Sequence, residues 1–380
     1  MSIRRSRLAT AGALAAALVL GSAAPAPAQS DDLDPASLGL DPETIVEIAG
    51  SLPVGSTADL LGSVGSADVP LIGAGSSSPL HGTPSEVDES ITETTFLRAE
   101  KSGSYEYWYI NSAAMQREVV VEVVPSRGER PAPVLYMLDG VDSPATSGFK
   151  SRAKIDKREA FEDVHVVTPT RAYAAYWTDW EQDDPTLGRN KWETFLTEEL
   201  PDIVEAKLAT NGKNGIGGIS MGGQAAMHLA ATHDLYDAVM SFSGYYSTMD
   251  QLGYQTIRLT VETRGGDVQN MWGPFRSERW RENDTIAHPE GLRGKKVYFN
   301  AANGEIGADD LTAYSDPAAI PVGIVLERGV LEGTKDFERV LKAKDIDHLA
   351  EYADTGLHNW NTFLEKFDDG FNYIKPALQG

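Results

Sequence analysis

The segment Gly218-Ile219-Ser220-Met221-Gly222, bracketed by Gly217 and Gly223, has the residue types and spacing of a nucleophile held at a sharp strand-to-helix turn. Lifting a serine hydroxyl clear of a sheet requires a strained backbone and small neighbours, and the following helix start leaves the Met221 amide pointing at a developing oxyanion. Gln224 to Ala231 supplies that helix. A glycine-rich turn of this kind can also cradle phosphate, but no Gly-Lys-Ser/Thr run is present and no acid is placed for a ribose contact. A serine is a weak nucleophile until a base takes its proton, and sites built on such a turn run nucleophile, acid, histidine along the chain. Among the seven histidines, His81 and His165 precede Ser220, His228 and His233 lie on or at the end of the nucleophile helix, His288 sits in an insert and His348 opens a strand. His358 follows a loop and precedes the last helical stretch, where it can reach back over the sheet. The acid is expected just past the strand Lys296 to Ala301, with Glu305 as first choice and Asp309 and Asp310 behind it. A second oxyanion donor is expected from the loop after an early strand, which nominates the amide of Val141 beside that of Met221.

Positioning these groups calls for strands alternating with amphipathic helices. Thr94 to Leu97, Glu118 to Val124, Val134 to Leu138, Val164 to Thr168, Asn214 to Ile219, Ala238 to Ser243 and Lys296 to Ala301 read as strands. Lys191 to Leu208 has helical spacing of apolar residues. The pattern predicts an α/β-hydrolase fold: a mostly parallel central sheet, helices on both faces, and a helical insert over the active site. That insert, Leu252 to Leu292, offers Leu252, Ile257, Leu259, Met271, Trp272, Phe275 and Trp280, either as the wall of an apolar channel or as ordinary packing on the sheet.

The N-terminus has Arg4, Arg5 and Arg7, an apolar run from Leu8 to Leu20, and small residues ending at Ala28, the build of a cleavable export signal over residues 1–28. The apolar run falls short of the roughly 20 residues needed to span a bilayer. Residues 29–89 are rich in Asp, Ser, Gly and Pro without a single Lys or Arg, and are expected to form an acidic linker with too little apolar surface to make a core. Residues 90–380 then form the enzymatic domain. The formal net charge is −23 at pH 7, so phosphate backbones are repelled and nucleic acid is an unsuited partner. The chain contains no cysteine, which excludes thiol catalysis and cysteine metal sites. No cofactor or metal is called for, and the expectation is an exported monomer of the cell envelope with no transmembrane segment.

Six blocks together resemble the actinobacterial mycolyltransferases, which include the antigen 85 complex and the corynomycolyl transferases. They are Leu138-Asp139-Gly140, Thr178-Asp179-Trp180, Lys191 to Thr197, the Ser220 turn, Met271-Trp272-Gly273-Pro274 and His358-Asn359-Trp360. The resemblance implies transfer of a mycolyl chain from trehalose monomycolate to a second trehalose monomycolate, to cell-wall arabinan or to a protein hydroxyl. It matches Ser220, Glu305 and His358 to the catalytic triad and Val141 and Met221 to the oxyanion donors. Asp139 and Ser243 match positions near the trehalose headgroup, Trp360 follows the histidine as in the family, and Trp272 is a further candidate for substrate contact. Asp142 stands where antigen 85 proteins have arginine, the family's cysteine pair is missing, and Ser143 to Phe161 lacks the aromatic stretch tied to fibronectin binding. A secreted carboxylesterase with the same triad, or a non-catalytic glycan-binding adhesin on the same fold, are the rival readings.

Overall fold

Side chains along a strand alternate between the two faces of a sheet, and that alternation divides this molecule's core in two. In the strand Ala132–Leu138, Val134, Tyr136 and Leu138 join one apolar cluster while Leu135 and Met137 join the other. The strand Lys296–Ala302 repeats the division, with Val297 and Phe299 on one side and Tyr298 on the other. Both faces are therefore covered, as a buried parallel sheet requires.

The computed structural model describes residues 86–128, 131–314 and 319–379; the expected export signal at 1–28 and nearly all of the expected linker at 29–89 lie outside the described residues. Nine strands form one sheet: β1 (Thr95–Ser102), β2 (Tyr105–Ser112), β3 (Arg117–Val124), β4 (Ala132–Leu138), β5 (His165–Pro169), β6 (Thr210–Ile219), β7 (Ala238–Phe242), β8 (Lys296–Ala302) and β9 (Leu349–Ala353). Their spatial order is β1-β2-β3-β5-β4-β6-β7-β8-β9. The first three strands and the β3–β5 pair are antiparallel, and everything from β5 to β9 is parallel. The α/β-hydrolase fold expected from the sequence is the fold observed. Strand β2 was not foreseen; it pairs with β1 around a turn at Gly103, whose φ of 63° suits glycine.

The helices that matter for function are α1 (Leu200–Lys207), α2 (Met221–Thr232), α3 (Gln251–Glu262), α4 (Ile320–Ala343), α5 (Trp360–Glu365) and α6 (Phe367–Leu378). The expected helix from Lys191 to Leu208 is interrupted: Trp192–Thr194 passes through a π-helical turn at Phe195–Glu199 before α1 begins. On one face α6 packs Phe367 and Phe371 onto Phe161, with ring centroids 5.2 and 4.3 Å apart. On the other lie α2, α4 and the insert.

That insert consists of α3 and shorter helical turns, and its apolar residues mostly face inward. Ile257, Leu259, Met271, Trp272 and Trp280 are buried, while Leu252 and Phe275 are half-buried. Trp272 stacks edge-on to Trp280 with centroids 5.1 Å apart. Ile257, Met271, Trp272 and Trp280 belong to the larger of the two apolar clusters. Among the described residues no helix is long and apolar enough to cross a membrane.

Candidate active site

Strand β6 enters the turn at Ser220 between two glycines held in close backbone contact. A methyl on Gly218 would stand 2.3 Å from the Gly222 carbonyl oxygen, and one on Gly222 would stand 2.1 Å from the carbonyl oxygen of Leu138. These are backbone clashes that no side-chain adjustment relieves, so the tight spacing read in the sequence is a packing requirement. Ser220 itself has φ 52° and ψ −121°, a strained conformation for a residue with a Cβ. Its amide donates to the Phe242 carbonyl on β7 at 2.8 Å, which fastens the turn to the neighbouring strand.

The Ser220 carbonyl accepts from Gln224 at 3.0 Å, the first bond of α2. The amides of Met221, Gly222 and Gly223 precede that bond, so the helix gives them no partner of its own. On the opposite side lies the loop after β4. A methyl on Gly140 would stand 3.5 Å from the Ser220 Cβ, and Ser143 donates to the Gly140 carbonyl at 3.1 Å, closing a tight turn around Val141. The Val141 carbonyl is occupied by the Ala174 amide at 2.9 Å, and Trp177 Nε1 donates to the Asp139 carbonyl at 2.9 Å. Arg171, Ala174, Tyr176 and Trp177 all hold positive φ, so strained backbone is concentrated in the segment that braces this loop. Val141 and Met221, the two expected donors, thus flank Ser220.

His358 lies in the loop between β9 and α5, with its amide on the Gly323 carbonyl at 3.1 Å and its own carbonyl taken by the Tyr314 hydroxyl at 3.2 Å. Its ring stands edge-on to Phe363. Nε2 is 2.7 Å from the Ser220 Oγ, and Nδ1 is 2.7 Å from a carboxylate oxygen. That carboxylate belongs to Glu327 on α4, which corrects the expectation of Glu305. Glu305 is exposed; it only lends its carbonyl to the Gly356 amide and its own amide to Asn303. Glu327 is fully buried, and its second oxygen accepts from Ser243 Oγ at 2.7 Å and from the Ala302 amide at 2.8 Å. The chain leaves β8 at Ala302, travels outward, and returns as α4 so closely that a methyl on Gly304 would lie 2.8 Å from the Ile324 carbonyl oxygen. Asp310, the runner-up acid, is also buried, but it accepts from the Gly307 and Leu357 amides and from Asn359 Nδ2, so it fastens the loop that carries His358.

The four residues expected near substrate are all buried or half-buried. Ser243 is buried with φ 50° and donates to Glu327. Asp139 is buried, and its Oδ2 accepts from the Gly148 amide at 3.0 Å. Trp272 sits in the core with Nε1 on the Thr178 hydroxyl. Trp360 is half-buried, and its ring covers Gly148 so closely that a methyl there would be 1.9 Å from the ring. If Ser243 serves to hold Glu327, Ser243→Ala removes one hydrogen bond to a charged group and is expected to lower kcat about tenfold with little change in KM. Equal kcat in the two proteins, measured on a soluble ester, would refute that role.

A serine, an imidazole and a buried carboxylate joined by two 2.7 Å contacts beside two amide-bearing loops can carry out nucleophilic acyl chemistry. A family profile described as "Putative esterase" matches residues 112–374. Among curated proteins, the chain is 27% identical over 289 residues to a diacylglycerol acyltransferase/mycolyltransferase Ag85A of Mycobacterium leprae, covering 72% of this chain and 82% of that protein. It is 28% identical over 322 residues to the Ag85B protein of Mycobacterium avium, covering 82% and 92%. Among solved structures, MPT51 (FbpC1) of Mycobacterium tuberculosis superposes with a TM-score of 0.60 at 25% identity, over 73% of this chain and all of that one. An S-formylglutathione hydrolase of Agrobacterium tumefaciens shares the fold, with a TM-score of 0.54 at 16% identity over 74% of this chain and 99% of its own.

Proposed function

Because the chain belongs to the putative esterase family, with the antigen 85 mycolyltransferases among its relatives, we propose that it is a serine acyltransferase working through an acyl-enzyme on Ser220. The observation that carries this reading is the unbroken contact from Ser220 Oγ through His358 to Glu327. Ser220 Oγ attacks the carbonyl carbon of an ester while His358 Nε2 takes the hydroxyl proton. Glu327 accepts the Nδ1 proton of the ring, which fixes the tautomer and stabilises the imidazolium. The amides of Val141 and Met221 receive the oxyanion of the tetrahedral intermediate, where loss of one donor typically costs about 10²–10³ in rate. Collapse breaks the ester C–O bond, and the departing alcohol oxygen takes the proton from His358. An acceptor hydroxyl then gives its proton to His358 and attacks the acyl-serine. The second collapse passes that proton back to Ser220.

The proposed donor is a mycolyl or corynomycolyl ester of trehalose, and the proposed acceptor is trehalose monomycolate, wall arabinan or a protein hydroxyl; relatives named as mycolyltransferases support the acyl class. Residues 1–28 are proposed to export the chain and residues 29–89 to act as an acidic spacer between the catalytic domain and the envelope surface. The test is the partition of a radiolabelled acyl group between trehalose and water. Transfer to sugar is expected; release of free acid alone would leave a secreted carboxylesterase. In parallel, a fluorophosphonate should label the wild type and not Ser220→Ala. A wild type that resists labelling would point to a non-catalytic binding protein.

A further inference from the structure

Two arginines stand together at the end of the sheet where Ser220 is presented, and among the described residues no carboxylate pairs with either. Arg117 begins β3 and Arg171 follows the end of β5; because these strands run antiparallel, with Val121 opposite Pro169, both residues lie at the sheet edge where Ser220 is presented. The link to the site is direct. The Arg171 amide donates to the Ser143 carbonyl at 2.8 Å, and Ala174, three residues on, donates to Val141. Arg171 is exposed, whereas Arg117 is half-buried with its guanidinium 5.2 Å from the Trp192 ring centroid.

Among the described residues neither side chain forms a salt bridge or donates a side-chain hydrogen bond; the pairs formed by Arg98, Arg158 and Arg189 show how readily arginines find acids in so acidic a chain. Burial, reinforced by the nearby charge of Arg171, pushes the Arg117 guanidinium down to about 10, and no acid among the described residues offsets that push. Two like charges held at one rim, one of them partly desolvated, destabilise the protein unless an anion joins them. A guanidinium packed on an indole is restricted in motion, and its free N–H fork suits the oxygens of a phosphate or carboxylate.

We infer that Arg117 and Arg171 form an anion-binding subsite beside the oxyanion loop, which takes a phosphate or carboxylate group carried by a substrate of the acyl transfer. The inference rests on the acyl-transfer reading for its place in the reaction, but the binding itself is measurable without turnover. Full-length protein is titrated calorimetrically with trehalose, trehalose 6-phosphate and inorganic phosphate. Trehalose 6-phosphate is expected to bind about tenfold tighter than trehalose, as one charge-assisted contact provides. The advantage should shrink with added salt and vanish in Arg117→Gln/Arg171→Gln.

Arg171→Gln alone, at an exposed position, should lose part of the advantage, and its melting temperature identifies any general unfolding. Inorganic phosphate binding as tightly as the sugar phosphate supports the subsite and assigns it to the free ion. Equal affinity for trehalose and trehalose 6-phosphate in the wild type, or an advantage that survives in a folded double variant, overturns it. Fluorophosphonate labelling of wild-type Ser220 separates the two failures: a labelled protein without anion preference refutes the subsite alone, and an unlabelled protein refutes the acyl-transfer reading.

Discussion

Glu327→Gln is expected to lower kcat by about 10³–10⁴, while Glu305→Gln leaves it at the wild-type value. The argument turns on which atoms the amide can offer. In the wild type, one oxygen of Glu327 accepts from both Ser243 Oγ and the Ala302 amide, and the other faces His358 Nδ1. The glutamine has a single oxygen, and two donors already claim it. Its NH₂ group is left facing Nδ1, where it can only donate, so the ring moves its proton to Nε2. That tautomer presents an N–H to Ser220 and cannot accept the hydroxyl proton. Flipping the amide restores the ring but leaves two donors facing an NH₂ group in a fully buried site, an arrangement that costs more than it recovers. Turnover of a soluble ester by both variants decides the matter. A Glu305→Gln enzyme that loses activity while Glu327→Gln keeps it would reverse the assignment.

That substitution also marks where the sequence was readable and where it was not. The Ser220 turn was legible because its glycines answer to backbone atoms two to three ångströms away, a constraint that leaves few residue choices. His358 was legible from chain order, since the fold brings a loop before the last helices back over the sheet. The acid was missed because chain order was read too locally. It was sought directly after β8, whereas the chain runs outward through Gly304 and Glu305 and brings its carboxylate back on α4. A signal was present in that helix. Ile320, Ile324, Glu327, Val330, Thr334, Phe337 and Leu341 recur at helical spacing on the buried face, and Glu327 is the one ionisable residue in that stripe. A charge on an apolar stripe requires a buried partner, and the two candidates it meets are Ser243 and His358. The Ser243 contact with Glu327 was not legible either: a residue just past a strand end looks alike in sequence whether its hydroxyl faces substrate or the acid behind the histidine. The interrupted helix before α1 was beyond reach, since a π-helical turn leaves the apolar spacing of Trp192, Phe195, Leu196 and Leu200 intact.

Asp139 supplies the other large effect, on stability rather than rate. Burial pushes its carboxyl up to about 7, against the donation from the Gly148 amide, and the negative charges of Glu122 and Asp142 push the same way. Glu122 is itself buried; its pKa too is raised by burial, though the Ser147 hydroxyl partly offsets this at 2.6 Å. In the unfolded chain an aspartate titrates near 3.9. Between about 4 and 7 the folded protein therefore holds a proton that the unfolded chain has released, so stability is fullest below about pH 4 and is lost as pH rises through about 7. Three pKa units correspond to about 4 kcal/mol for a fully buried group, an upper figure that reorganisation reduces. Asp139→Asn keeps an oxygen for the Gly148 amide and never ionises. The variant should match the wild type in melting temperature near pH 4 and exceed it by several degrees at pH 8. The same gap at both pH values would mean that Asp139 does not change its charge in this range. Because Asp139 opens the loop that bears Val141, a carboxylate forced to ionise there strains the element proposed to receive the oxyanion.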